Sequence, residues 1–86
     1  MKGFNKTHYL GRLGRWVATL RKSRELGQDQ VSELAGLAKG TLSKIEQGQV
    51  DPQASTLVRV AGALKLPSWK IFDVPALAEV PQDNGT

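Results

Sequence analysis

Residues 28–48, QDQVSELAGLAKGTLSKIEQG, decide how the rest of the chain is read. Val31 and Ala35 are four apart and Leu42 and Ile45 three apart, so each pair lies on one helical face. Gly36 and Leu37 separate the two runs, and a reversing chain needs a positive φ or a missing Cβ where Gly36 stands. Ser32 and Ala35 are small enough for a second helix to cross closely. This spacing predicts two short helices, over 28–35 and 39–47, joined by a tight turn: the sequence form of a helix-turn-helix. Gly48 closes the second as a left-handed cap.

Working outward, Leu13, Val17, Leu20 and Arg24 recur at four, three and four residues, which predicts a first helix over 13–25 with Trp16 at its flank. Downstream, Leu57, Val60, Ala61 and Leu64 form the clearest amphipathic stripe, on a helix over 54–64. Ser68 is a candidate cap for a fifth short element over 69–73. The expected architecture is all-α: one five-helix domain over 10–74, a flexible basic arm over 1–9 and a fraying acidic tail over 75–86. Phe4 and Tyr9 could fold back onto the domain, and the arm could lie in a DNA groove, but a frayed terminus is the simpler reading.

The chain is short enough for one domain, and its net charge is +4. Residues 1–24 carry Lys2, Lys6, Arg12, Arg15, Arg21, Lys22 and Arg24 and no acid, whereas residues 71–86 carry Asp73, Glu79 and Asp83 and no base. A basic first quarter suits phosphate, although alone it reads equally well as a solvated face. There is no cysteine, so neither a disulfide framework nor a thiolate metal site is available. His8 is the only histidine, which excludes a histidine-based metal site or a Ser-His-Asp triad within one chain. No paired carboxylates or glycine-rich phosphate loop stand out, and the reading is a non-enzyme without cofactor or metal. No apolar run is long enough to span a bilayer and no secretory signal opens the chain, so a cytoplasmic location is expected.

Gln28, Val31-Ser32, Ala35-Gly36-Leu37 and Leu42-x-x-Ile45-Glu46-x-Gly48 together resemble the helix-turn-helix of the lambda-repressor-like family, which includes the Cro, phage-repressor and xenobiotic-response-element proteins. The resemblance runs from Leu13 to about Asp73. Two positions depart from the family pattern. Ser32 replaces the usual Ala. Ala38 stands where Ser or Thr usually caps the second helix, a loss of about 1 kcal/mol.

The resemblance implies an ion pair between Arg21 and Glu46, joining the first helix to the end of the third. It makes the third helix the recognition helix, with Lys39, Gly40, Ser43, Lys44 and Gln47 outward and Thr41 at the edge. Lysines there could donate to guanine O6 and N7, and the Thr41 methyl could meet a thymine methyl. Gln28, at a helix N-terminus, is expected on a phosphate, and Gly40 to weaken its helix. The implied function is sequence-specific binding of double-stranded DNA: a bacterial or phage transcriptional regulator, acting as a repressor on a palindromic operator as a symmetric homodimer. Trp69, Ile71 and Phe72, with Val74 and Leu77, are the expected dimer contact. The alternative is an antitoxin or adaptor that binds a toxin or other protein through its C-terminal third, with operator binding secondary. Non-specific nucleic-acid binding is a third reading.

Overall fold

A computed structural model describes residues 3–75, and these form five helices and no strand. The helices are α1 (Lys6–Ser23), α2 (Gln28–Ala35), α3 (Thr41–Glu46), α4 (Ala54–Ala63) and α5 (Ser68–Phe72). Their lengths follow from local chemistry at each end.

The first helix begins earlier than the arm reading allowed. The Asn5 side chain accepts from the His8 amide at 3.0 Å, a side-chain cap that starts the helix at Lys6. Leu10 is buried one turn ahead of Leu13, which gives these first turns a core to pack on. Residues 6–9 are therefore helical. Only residues 3–5 of the described chain remain as an arm, and Phe4 there lies 6.1 Å from the Tyr9 ring. At its other end α1 stops at Ser23, not residue 25, because Glu25 turns to a φ of 57°. Arg24 is exposed, so the buried stripe is Leu10, Leu13, Val17 and Leu20.

The second helix spans 28–35 as the spacing predicts. The Gly27 amide donates to Gln30 Oε1 at 2.7 Å, which satisfies one orphan donor at the start. Gly36 ends the helix at a φ of 70°, and the Leu37 amide reaches back to the Ser32 carbonyl.

The third helix is shorter than expected. Gly40 stands at a φ of 85°, and the Thr41 amide closes a turn on the Ala38 carbonyl. A left-handed residue cannot continue a right-handed helix. Lys39 and Gly40 therefore belong to the turn, and Gly40 weakens no helix. No side chain caps α3, and Leu42 and Ile45, both 1% exposed, hold it in place. Gly48 follows at a φ of 73°, and the Gln49 amide bonds the Lys44 carbonyl at 2.9 Å.

In α4, Leu57, Val60 and Ala61 are buried, with Leu64 just past its end. Pro67 precedes α5, so Ser68 is its first residue and not its cap.

α1 packs on α3, α2 on α4, and α4 on α5. One apolar cluster, from Leu10 to Ile71, joins all five helices. Each large aliphatic side chain fully buried there stabilises the fold by about 1.5–3 kcal/mol. Residues 76–86 of the acidic tail, including Leu77, lie outside the described residues.

A candidate nucleic-acid interface

The site is the outer side of α3, and its position depends on how α1 holds α3 from behind. Gly14 lies at that contact. A Cβ placed on it would sit 2.4 Å from the Ile45 carbonyl oxygen, so the two backbones touch with no side chain between them. Gly11, one turn earlier, lies against Gly48: a Cβ on Gly48 would stand 3.1 Å from the Gly11 Cα. Two small residues three apart on α1 are the sequence signal for this approach, and the sequence reading passed over it.

Beside the backbone contact stands the ion pair. Arg21 Nε donates to Glu46 Oε2 at 2.7 Å and Arg21 Nη2 to Glu46 Oε1 at 3.0 Å. The two side chains are only 11% and 6% exposed. This bidentate fork fixes orientation as well as distance. The third guanidinium nitrogen, Nη1, donates to the Leu26 carbonyl at 2.8 Å and ties the α1–α2 connection to the same cluster.

Gln28 belongs to this cluster too. Its Nε2 donates to Glu46 Oε1 at 2.9 Å. The expected phosphate ligand is thus also a structural partner of Glu46, which sequence spacing did not reveal. One Nε2 proton and the first backbone amides of α2 remain for an outside acceptor.

On the outward side, Lys44 is exposed and Thr41 and Ser43 are half-buried. Gln47 Nε2 donates to Ser43 Oγ at 2.8 Å, and Gln49 Nε2 donates to Gln47 Oε1 at 2.6 Å. This chain of side chains steadies the end of the face and adds Gln49, just past Gly48, to it. Lys39 is exposed on the turn before Gly40, at the opposite end of α3. Thr41 and Lys44 also line a shallow cleft with Val50, Asp51 and Thr56.

The expected dimer contact needs correction. Ile71 is 0% exposed and belongs to this chain's own core, so it cannot meet a partner. Trp69 and Phe72, at 63% and 44%, are open. On a five-residue helix the buried face is one residue wide, and Ile71 takes it. Trp16 is half-buried and donates from Nε1 to the Lys70 carbonyl at 3.0 Å, joining α1 to α5.

Among the described residues, no helix is long and apolar enough to cross a membrane, and no group of His, Cys, Asp or Glu could hold a metal ion.

Comparison with known proteins agrees with this geometry. A helix-turn-helix domain family model matches residues 12–68. The antitoxin HigA1 of Mycobacterium tuberculosis is 39% identical over 65 residues, covering 76% of this chain and 44% of its own. The immunity repressor protein of Bacillus phage phi105 is 42% identical over 52 residues, covering 60% of this chain and 36% of its own. The chain thus spans less than half the length of these relatives. The crystal structure of the restriction-modification controller protein C.AhdI from Aeromonas hydrophila superposes with a TM-score of 0.73 at 25% identity, over 76% of this chain and 98% of that one. The architecture, the match over residues 12–68 and the repressor and controller relatives agree: the chain belongs to the helix-turn-helix domain family, in its lambda-repressor-like branch.

Proposed function

We propose that this chain binds double-stranded DNA in a sequence-specific way and acts as a cytoplasmic transcriptional repressor, with α3 in the major groove. The observation that carries the reading is the way α3 is mounted. Its inner face is fixed against α1 by backbone contact and a shielded ion pair, so its outer face is presented rigidly. That face carries Lys44, Ser43 and Gln47 with Thr41 at its edge, side chains suited to base edges and phosphates. Lys39 and Gly40, on the preceding turn, approach the backbone of the duplex. Gln28 and the α2 amides meet a phosphate. The function needs no cofactor and no catalytic step.

The chain acts as a two-fold dimer through Trp69 and Phe72, the large apolar side chains that α5 leaves open. A palindromic operator then has half-site centres about 10 base pairs apart. The test is selection of bound sites from random DNA, followed by competition against single-base changes. Lys44→Ala and Thr41→Ala should each cost about 1–3 kcal/mol on the preferred site and relax one base pair per half-site. Gln28→Ala should weaken all sequences alike, with some loss of stability because Glu46 loses a partner. If both α3 variants bind every sequence as the native chain does, α3 does not read DNA.

A second reading has its own support. One relative is named an antitoxin, and the open apolar side chains on α5 could serve a toxin or other protein. A stable complex with a co-expressed neighbouring protein that is lost in a Trp69→Ser, Phe72→Ser variant would favour it.

A further inference from the structure

Along α1, Arg12, Arg15, Thr19 and Lys22 stand at i, i+3, i+7 and i+10, which places them on one side of the helix over about 15 Å of its axis. Two clefts meet on this side. One is about 390 Å³ and is lined by Arg15, Thr19, Lys22, Gln28, Glu46 and Gln47. The other is about 690 Å³ and includes Phe4, His8, Tyr9, Arg12 and Arg15. Arg15 belongs to both. The first cleft is continuous with the face proposed to read DNA, through Gln28 and Gln47.

The charges along this edge are uncompensated. Among the described residues, the only carboxylate lining either cleft is Glu46, and Arg21 already holds both its oxygens. Among the described residues, neither Arg12, Arg15 nor Lys22 lies within 4 Å of a carboxylate oxygen. Arg15 Nε is buried with no hydrogen-bond partner there. A buried N–H without an acceptor is costly, and an Arg15 side chain that swings out to a phosphate oxygen in the cleft would relieve that cost. A duplex carries one negative charge per strand about every 3.4 Å, so an edge of this length spans several phosphates.

We propose that the Arg12–Arg15–Lys22 edge of α1 contacts the phosphate backbone of the same duplex that α3 reads. This rests on the DNA-binding function above and extends its footprint along α1. The edge adds affinity without sequence preference.

The experiment measures binding of the full chain to its selected duplex and to a long mixed-sequence duplex over a range of salt. The proteins are the native chain, Lys22→Gln, the triple variant Arg12→Gln, Arg15→Gln, Lys22→Gln, and Lys65→Gln as a control that matches the charge change of Lys22→Gln at an exposed site outside both clefts. The slope of log affinity against log salt should fall by about one per substituted edge residue. The ratio between the two duplexes should stay constant. Arg15→Lys should keep the native slope. Lys22 is exposed, so its variant tests the edge without disturbing packing. An unchanged slope in Lys22→Gln and the triple variant overturns the proposal while leaving α3 as the reader. So does an equal fall in Lys65→Gln, which would mark a bulk charge effect, or a changed base ranking, which would make these residues base readers. A native chain with no salt-dependent binding to either duplex would overturn the DNA-binding function itself and this edge with it.

Discussion

α1 holds two short helices, α3 and α5, by different physical means. Against α3 the contact is backbone on backbone: Gly14 meets the Ile45 and Glu46 carbonyls, and a shielded, bidentate ion pair closes its side. Against α5 the contact runs through side chains: the Trp16 indole donates to the Lys70 carbonyl, and the Lys70 ammonium stands 5.6 Å from the Trp16 ring and 5.8 Å from that of Trp69. A contact between backbones has no rotamer to adjust, whereas a contact between side chains has several. The first fixes the orientation of α3. The second leaves an adaptable surface with open aromatics. On the proposed function, rigidity falls where bases would be read and adaptability where a second chain would dock.

Removing Glu46 is the strongest way to break this contrast. Glu46→Ala leaves Arg21 charged and largely enclosed and takes an acceptor from Gln28, at a cost of about 3–5 kcal/mol. A domain of this size loses roughly 4 °C or more of melting temperature per kcal/mol. A thermal melt within a degree or two of the native chain would show that the pair carries no stability.

Next comes Gly14→Ala. Its Cβ would meet three backbone atoms of Ile45 and Glu46 closer than 3.0 Å, so α3 must move. The expected loss is about 3 kcal/mol, the upper end for overpacking. Where the variant still folds, it should discriminate less sharply between operator bases than the native chain. Unchanged stability and discrimination would mean that α3 is not set by this contact.

Trp16→Phe tests the other side. It removes one hydrogen bond and leaves the Lys70 carbonyl without its indole partner, at about 1 kcal/mol. DNA affinity per folded molecule should not change, since α3 is untouched. A loss as large as that of Gly14→Ala would erase the distinction between the two contacts.

The smallest expected effect on stability belongs to the paired change Trp69→Ser and Phe72→Ser. Both side chains are open, so denaturant unfolding monitored on the dilute monomer should shift by no more than about 0.5 kcal/mol. Sedimentation equilibrium at micromolar concentration should nevertheless turn a dimer into a monomer. A native chain that is monomeric both free and on DNA would remove the palindromic operator along with the interface.

The all-α class, the helix-turn-helix over 28–48 and the buried positions of α2, α3 and α4 were legible in the sequence. Helical periodicity reports which residues share a face, and a long enough stripe needs no tertiary information. Gly36 and Gly48 were legible for a related reason, since a left-handed position at a helix end favours glycine. The start of α1 was harder to read: Asn5 marks it, but only by capping a turn whose apolar residues, Tyr9 and Leu10, find their partners in the folded core. Gly40 carried the wrong meaning, because a glycine inside a polar run reads alike as a weak helix residue and as a turn. The family resemblance paired Arg21 with Glu46, yet nothing in the spacing brought Gln28 to the same carboxylate.

Sequence by itself determined which segments are helical, which faces are apolar and where basic charge accumulates, because each depends on neighbours within a few residues. Tertiary structure alone decided that Gly14 lies under the Ile45 carbonyl, that Ile71 is core while Trp69 and Phe72 are open, and that Arg15 and Lys22 share a cleft with Gln28 and Gln47. These depend on how helices distant in the chain cross. The crossing is set by where backbones can approach, which no local pattern encodes.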